Sequence, residues 1–352
     1  MRGLCRLLIV YPAALFAIGS RDVFGSAVSE FPKSVDVVIV GGGIIGLTTA
    51  LELARAGLKV CVLDRGTPGR EASWAGGGML SPLPPDAPAP EIKALLDESL
   101  ALYPDYCEEL RATTGVDPEY WVCGAKILRP SGERWIPGLA QVRNPRLIRA
   151  LLLALRQYKV EVVAHVPALH WLQKSGALKG VHTAQGAIGC GAAVLAAGAW
   201  SGQMANVAIE PVKGQMLLLR AVPGLLDHIR MDDQAYVIPR RDGQLLVGST
   251  LERAGFDAEP TRSARDSLIE SAERLQPGSG KFEVLHQWAG LRPANGEAAP
   301  FVGPMDEMTG LFANVGHFRL GITLSLASAQ LCSRQILGSP GRKADEQITS
   351  VR

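Results

Sequence analysis

Residues 35–64, VDVVIVGGGIIGLTTALELARAGLKVCVLD, read as a buried strand, a glycine turn, a helix and a second buried strand. Apart from Asp36 the run at 35–40 is β-branched, as a parallel strand covered on both faces requires. Gly41, Gly43 and Gly46 follow in G-x-G-x-x-G spacing. The first permits a tight turn, the second lets a pyrophosphate approach the backbone, and the third lets the helix pack on the strand. The helix expected over 44–56 offers unpaired N–H groups and the positive end of its dipole to a phosphate, so no lysine is needed. After the second strand, at 59–63, Asp64 stands about 20 residues past the glycines, where a carboxylate can accept both hydroxyls of an adenosine ribose. A free 2′-hydroxyl is thereby favoured over NADP. Any glycine turn between a strand and a helix can imitate the spacing; the order strand, turn, helix, strand, acid carries the dinucleotide reading.

The chain has 352 residues, enough for two domains sharing a core. Its formal charge is only +2 and no basic cluster is present, which excludes a nucleic-acid surface. Six cysteines are scattered without a C-x-x-C pair, as expected of a reducing, cytoplasmic compartment. Residues 1–33 stand apart as an N-terminal extension. Arg2 and Arg6 precede an apolar run at 7–19 and a small-residue patch at 25–27, the outline of a signal peptide. The run is shorter than the ~20 residues of a membrane span. A disordered extension and a start codon set too far upstream are preferred to export, because the twin-arginine pair is absent.

Past Asp64 a glycine-rich and then proline-rich stretch reads as a long loop, in which Gly76–Gly78 suggest that another part of the ligand lies against bare backbone. A linker is the alternative, but Trp74, Met79 and Leu80 are too apolar for one. An amphipathic helix or helix pair is expected over 91–114, irregular chain over 116–142, and a helix from Asn144, its N-cap, with Pro145 at the first helical position. Strands are expected at 160–163, 168–173, 178–182 and 192–196. Residues 211–250 hold antiparallel hairpins, one turning at Asp242-Gly243, and imply a second domain packed over the ligand. A helix at 263–275 and a strand at 282–288 lead to GLRP at 290–293. A strand at 311–315 then enters Gly316, and a helix spans 322–337. One dinucleotide would meet two helix N-termini, and the second would stabilise the negative charge of a reduced flavin, which favours FAD over NAD. No histidine pair and no H-x-x-x-H spacing suggests a metal.

VIVGGGIIGLTTALELARAG, REASWAGGGMLSP, AAGAWSG, PVKGQM, YVIPR, WAGLRP and GHFRLGI occur in the order found in the D-amino acid oxidase superfamily, and over 34–338 the chain most resembles the glycine oxidases of thiamine biosynthesis. The resemblance implies an α/β fold with a Rossmann-like FAD-binding domain, at 34–82, 143–204 and 288–340. It also implies a mostly antiparallel α+β substrate domain, at 83–142 and 205–287, with 341–352 left as a tail. It further implies non-covalent FAD and a small amino acid or amine substrate. Hydride would pass to flavin N5, molecular oxygen would be reduced to hydrogen peroxide, and the chain would form a homo-oligomer, commonly a tetramer. The flavin would touch Ile44, Ile45, Asp64, Arg65, Ala72, Ser73, Gly77, Gly78, Met79 and Ala168, and also His317, Phe318, Arg319, Leu320, Gly321, Ile322 and Thr323. Arg292 would hold the substrate carboxylate with help from Tyr236, and Arg319 would lie close to both ligands. A guanidinium fork suits a carboxylate as no lysine can.

Four departures from the family pattern stand out. Asp64 replaces glutamate, Leu320 replaces the asparagine of GHFRNG, and Gln234 stands where some members have histidine. Between Leu128 and Trp135 only RPSGER remains where the family has further strands and a helix. Sarcosine oxidase and D-amino acid oxidase or dehydrogenase are the enzyme alternatives, and a flavin-binding homologue without turnover is the alternative of another class.

Overall fold

The two strands of the opening unit lie inside a six-stranded sheet, ordered Phe301–Pro304, Leu311–Val315, Ala192–Leu195, Val37–Val40, Val60–Leu63, Glu161–Val163. This is a computed structural model, and it describes residues 31–82, 90–297 and 299–339. Val37 pairs in parallel with Val60 on one side and Ala192 on the other. Every residue of Val37–Val40 and Val60–Leu63 is buried, which explains why neither strand alternates apolar with polar. Only Phe301–Pro304, at the edge, runs antiparallel to its neighbour.

Three helices of the layer packed on this sheet meet each other. Ile44–Arg55 lies against Gly321–Leu337, and Gly321–Leu337 lies against Pro90–Thr114. The Pro90–Thr114 segment is a single helix of 25 residues with Pro104 inside it, not a pair. Tyr103, fully buried on that helix, donates to Ile322 O and lies 3.1 Å from Ser325 Oγ. His317, in the turn after Leu311–Val315, is buried with Nε2 3.0 Å from Ser328 Oγ.

A second, seven-stranded sheet is ordered Val284–Ala294, Glu210–Arg220, Gln244–Gly248, Tyr236–Pro239, Ile229–Met231, Ala125–Arg129, Gly132–Ile136. The hairpin about Asp242-Gly243 forms as expected, with Gly243 at φ +87°. Helix Arg262–Leu275 covers one face, its N-terminus capped by Thr261 Oγ1, which accepts from Ala264 N. GLRP does not follow the strand but belongs to it, since Val284–Ala294 runs through Gly290–Pro293 beside Glu210–Arg220. That strand crosses the expected domain boundary at 287/288.

Residues 116–142 are not irregular. They hold Trp121–Val122, Ala125–Arg129, Gly132–Ile136 and Ala140–Gln141. The strands are too short for a periodic signal, and Pro130-Ser131 turns Ala125–Arg129 back onto Gly132–Ile136 where the sequence shows only RPSGER. Asn144 is not the N-cap: it is the first residue of helix Asn144–Gln157, with Arg143 as N-cap, and its side-chain amide bonds to residues outside this helix. The N-terminal extension up to residue 30, the proline-rich part of the loop at 83–89 and the tail from 340 lie outside the described residues. Among the described residues no helix is long and apolar enough to cross a membrane. Cys61, Cys107, Cys123, Cys190 and Cys332 are buried free thiols.

A Cβ at Gly46 would fall 1.9 Å from Gly41 O. Alanine normally stabilises a helix interior by about 1 kcal/mol over glycine. Collision with backbone reverses the sign here, so Gly46→Ala should lower stability by about 1–3 kcal/mol, read from the urea midpoint; a rise would mean that the helix does not rest on the turn. Burial pushes the His317 imidazole down to about 3, so the folded chain keeps it neutral while an unfolded chain protonates it below its ordinary range. The unfolded state then binds the extra proton between about pH 6.5 and 3, so His317 should lower stability as the pH falls through that window, by up to ~1.4 kcal/mol per unit. Replacement by glutamine should flatten that slope, as measured by unfolding at several pH values.

Candidate functional site

One cavity of about 1320 Å³ opens where the carboxyl ends of Val37–Val40 and Leu311–Val315 face the antiparallel sheet. Pockets for single small ligands are roughly 300–1,000 Å³, so this space suits a dinucleotide and a substrate together. It collects every predicted cofactor and substrate residue except Gly46, whose place is under the helix.

At the dinucleotide end Gly41 has φ +114°, and a Cβ there would lie 2.2 Å from Ala196 O. Asp64 accepts from Gly42 N through Oδ2 and from Gly66 N through Oδ1, both at 2.7 Å. The carboxylate therefore staples two turns together, and its remaining lone pairs are free for a ribose. Ile44 N, in the first helical turn, donates to Ser73 Oγ at 2.8 Å, so this one of the N–H groups expected to be unpaired has a hydroxyl partner. Arg65 lays its guanidinium 3.5 Å from the centre of the Trp200 ring. Trp200, in AAGAWSG, lines the same cavity and was missed, although its motif was visible.

Gly76–Gly78 form the middle of the wall. A Cβ on Gly78, at φ +72°, would lie 2.1 Å from Val142 O. Asn144 reaches back to this segment, Nδ2 donating to Ser73 O at 2.8 Å and Gly76 O at 3.0 Å. Trp288 Nε1 donates to Ala75 O at 3.0 Å. Opposite, helix Gly321–Leu337 begins with no side-chain cap, and Leu320, Gly321, Ile322 and Thr323 line the cavity at its positive end. Thr323 Oγ1 donates to Met79 O at 3.2 Å, tying this helix start to the glycine segment.

At the substrate end Arg292 projects from near the end of its strand over Gly214, where a Cβ would lie 2.1 Å from both Nη1 and Nη2. Only glycine leaves the guanidinium that space, and the glycine of PVKGQM was the readable sign. Arg292 Nη2 donates to Ser249 Oγ at 2.7 Å and Nη1 to Thr250 O at 3.2 Å. Among the described residues it forms no ion pair. Burial is the main force pulling its guanidinium below the ordinary value, opposed by Tyr236 and aided by Arg319. Tyr236 is wedged between Gly77 and Gly248: a Cβ on the first would lie 3.3 Å, and on the second 2.8 Å, from its hydroxyl. Arg319 is exposed at the cavity, its guanidinium 5.2 Å from the Phe318 ring centre.

These features fit FAD: backbone-only approaches at Gly41 and Gly78, a ribose-competent carboxylate, and two helix starts on one cavity. The family profile described as FAD dependent oxidoreductase matches residues 36–135 and 128–335, its two pieces overlapping at the shortened hairpin. A glycine oxidase of Pseudomonas putida is 39% identical over 348 residues, spanning 87% of this chain and 95% of that protein. A bifunctional protein ThiO/ThiG of Trichormus variabilis is 32% identical, over 84% of this chain and 52% of that longer protein. The crystal structure of glycine oxidase from Geobacillus kaustophilus superposes with a TM-score of 0.84 at 26% identity, covering 89% of this chain and 97% of that one. The chain belongs to the FAD dependent oxidoreductase family, within its glycine oxidase group.

Proposed function

We propose that the chain oxidatively deaminates glycine or another small amine such as sarcosine or a small D-amino acid, in thiamine biosynthesis. With glycine, one glycine, one oxygen and one water would give glyoxylate, ammonia and hydrogen peroxide. The observation that carries this is Arg292, an enclosed guanidinium in no ion pair among the described residues, at a dinucleotide-sized cavity. The glycine oxidase relatives support the substrate class, and the ThiO/ThiG relatives support the pathway.

Arg292 has spare N–H groups beyond the two donated to Ser249 and Thr250, and a carboxylate would complete them as a fork. Leaving such a charge unpaired is costly, so the site prefers zwitterions over simple amines. The Tyr236 hydroxyl supplies a further donor beside it. Gly41, Asp64, Gly77, Gly78 and the helix start at Gly321 would hold FAD, which when bound would supply the two-electron acceptor for oxidation at the substrate α-carbon. Arg292, on Val284–Ala294, and Tyr236, on Tyr236–Pro239, would fix the carboxylate, so the acceleration assigned to the protein is mostly positioning. His317 is no base for this chemistry: it is buried, neutral and directed at Ser328.

Glycine added under anaerobic conditions should bleach the bound flavin, and admitting oxygen should restore its colour with release of peroxide. Turnover confined to bulky D-amino acids would sink the assignment. Arg292→Ala should lower kcat/KM for glycine by about a hundredfold or more while FAD content stays at the parent level. Arg292→Lys should recover only part of that loss, because an ammonium cannot make the two parallel bonds. Steady-state kinetics on flavin-loaded protein checks both.

A further inference from the structure

Five carbonyls between 73 and 78, all but that of Trp74, are taken by other elements. Asn144 takes Ser73 O and Gly76 O, Trp288 takes Ala75 O, and Val142 N donates to Gly78 O at 2.8 Å. The remaining donor is Arg240, the arginine of YVIPR, whose Nη2 donates to Gly77 O at 2.8 Å. Its Nη1 donates to Gln141 Oε1 at 2.7 Å and to Val142 O at 3.1 Å. All three acceptors are neutral oxygens, and burial pulls this guanidinium down to about 10. Arg240 does not line the cavity; Gly76, Gly77 and Gly78 do. The charge thus lies behind the loop.

We propose that Arg240 is a positioning residue for the flavin: by holding Gly77 O away from the cavity it turns the Gly78 N–H of the same planar peptide toward the cavity, as a donor to the cofactor. In a trans peptide the N–H and the C=O point opposite ways, so fixing one aims the other. Tyr236, Ile238 and Arg240 also follow one another at two-residue spacing and share a face. A Cβ on Gly77 would lie 3.1 Å from Ile238 Cδ1 and 3.3 Å from the Tyr236 hydroxyl. The same row of side chains thus supports the glycine from below and presents Tyr236 to the substrate end. A neutral donor could serve one carbonyl; the guanidinium fork spans Gly77, Val142 and Gln141 and locks two segments to each other. Arg240 therefore acts on cofactor affinity through Gly77 and on substrate affinity through Tyr236.

This inference rests on the family's use of FAD, and apoprotein titrated with FAD, followed by quenching of protein fluorescence, tests it. Losing a charge-assisted bond and leaving Gly77 O unpaired should raise the Kd of Arg240→Met for FAD about tenfold to a hundredfold. The KM for glycine should rise with it more than kcat falls, and Arg240→Lys should lie between parent and Met variant. A folded Arg240→Met that binds FAD within about twofold of the parent overturns the inference, even if its melting temperature drops, because that is what mere structural support would give. If Arg240→Met does not fold, Arg240→Lys decides: an unchanged Kd overturns the inference and a severalfold rise sustains it. A parent chain that binds no FAD would instead overturn the flavoprotein reading itself.

Discussion

At Gly41 the chain leaves the central strand with its backbone pressed against Ala196 O, and at Gly46 the first helix returns to rest on Gly41 O. No side chain fits at either contact. The spacing between them fixes where the helix starts, and so where its N–H groups and positive dipole end are delivered. Because Ala192–Leu195 pairs with Leu311–Val315 on its other side, the second helix start, at Gly321, comes to the same cavity. The site follows from backbone contact before any side chain is considered.

Two arginines then divide the electrostatic work. Arg240 is satisfied by neutral oxygens and lies outside the cavity wall, where it can only hold. Arg292 gives two bonds to Ser249 and Thr250, faces the cavity, and feels Arg319 as well as Glu252, with no carboxylate in ion-pair contact among the described residues. A cation in that condition attracts an anionic ligand, and the attraction strengthens as the site is desolvated. Burial lowers both guanidinium groups, yet their ordinary value is so high that both remain charged at neutral pH.

The unit from Val37 to Asp64 was readable because its signals are local: runs buried on both faces, glycines at fixed spacing, an acid at the end of the second strand. The same holds for the Asp242-Gly243 hairpin. The strands within 116–142 were not readable, since two of them are only two residues long and Ala125–Arg129 takes its second partner, Ile229–Met231, from far along the chain. Asn144 looked like a cap because asparagine before proline usually is one; its amide instead serves carbonyls near residue 75, which no local pattern announces. Arg240, Gly214 and Trp200 were all inside quoted motifs, but nothing in the sequence says which side of a strand or loop a motif residue takes.

The hairpin at Pro130-Ser131 bears on whether the shortened chain is a complete enzyme. Ala125, Ile127, Ile136 and Leu139 enter one apolar cluster with Ile229, Ile238 and Leu246, so that core closes without further strands. The last strand of the sheet, Gly132–Ile136, is short and mostly exposed, with Glu133 paired to Lys126 at 3.0 Å and Trp135 packed edge-on against His228. Short, charged edges resist pairing with another chain, so this strand is a managed edge. Tyr236 sits two strands inward from Ala125–Arg129, on a strand held from both sides, and its placement does not depend on the segment after Arg129.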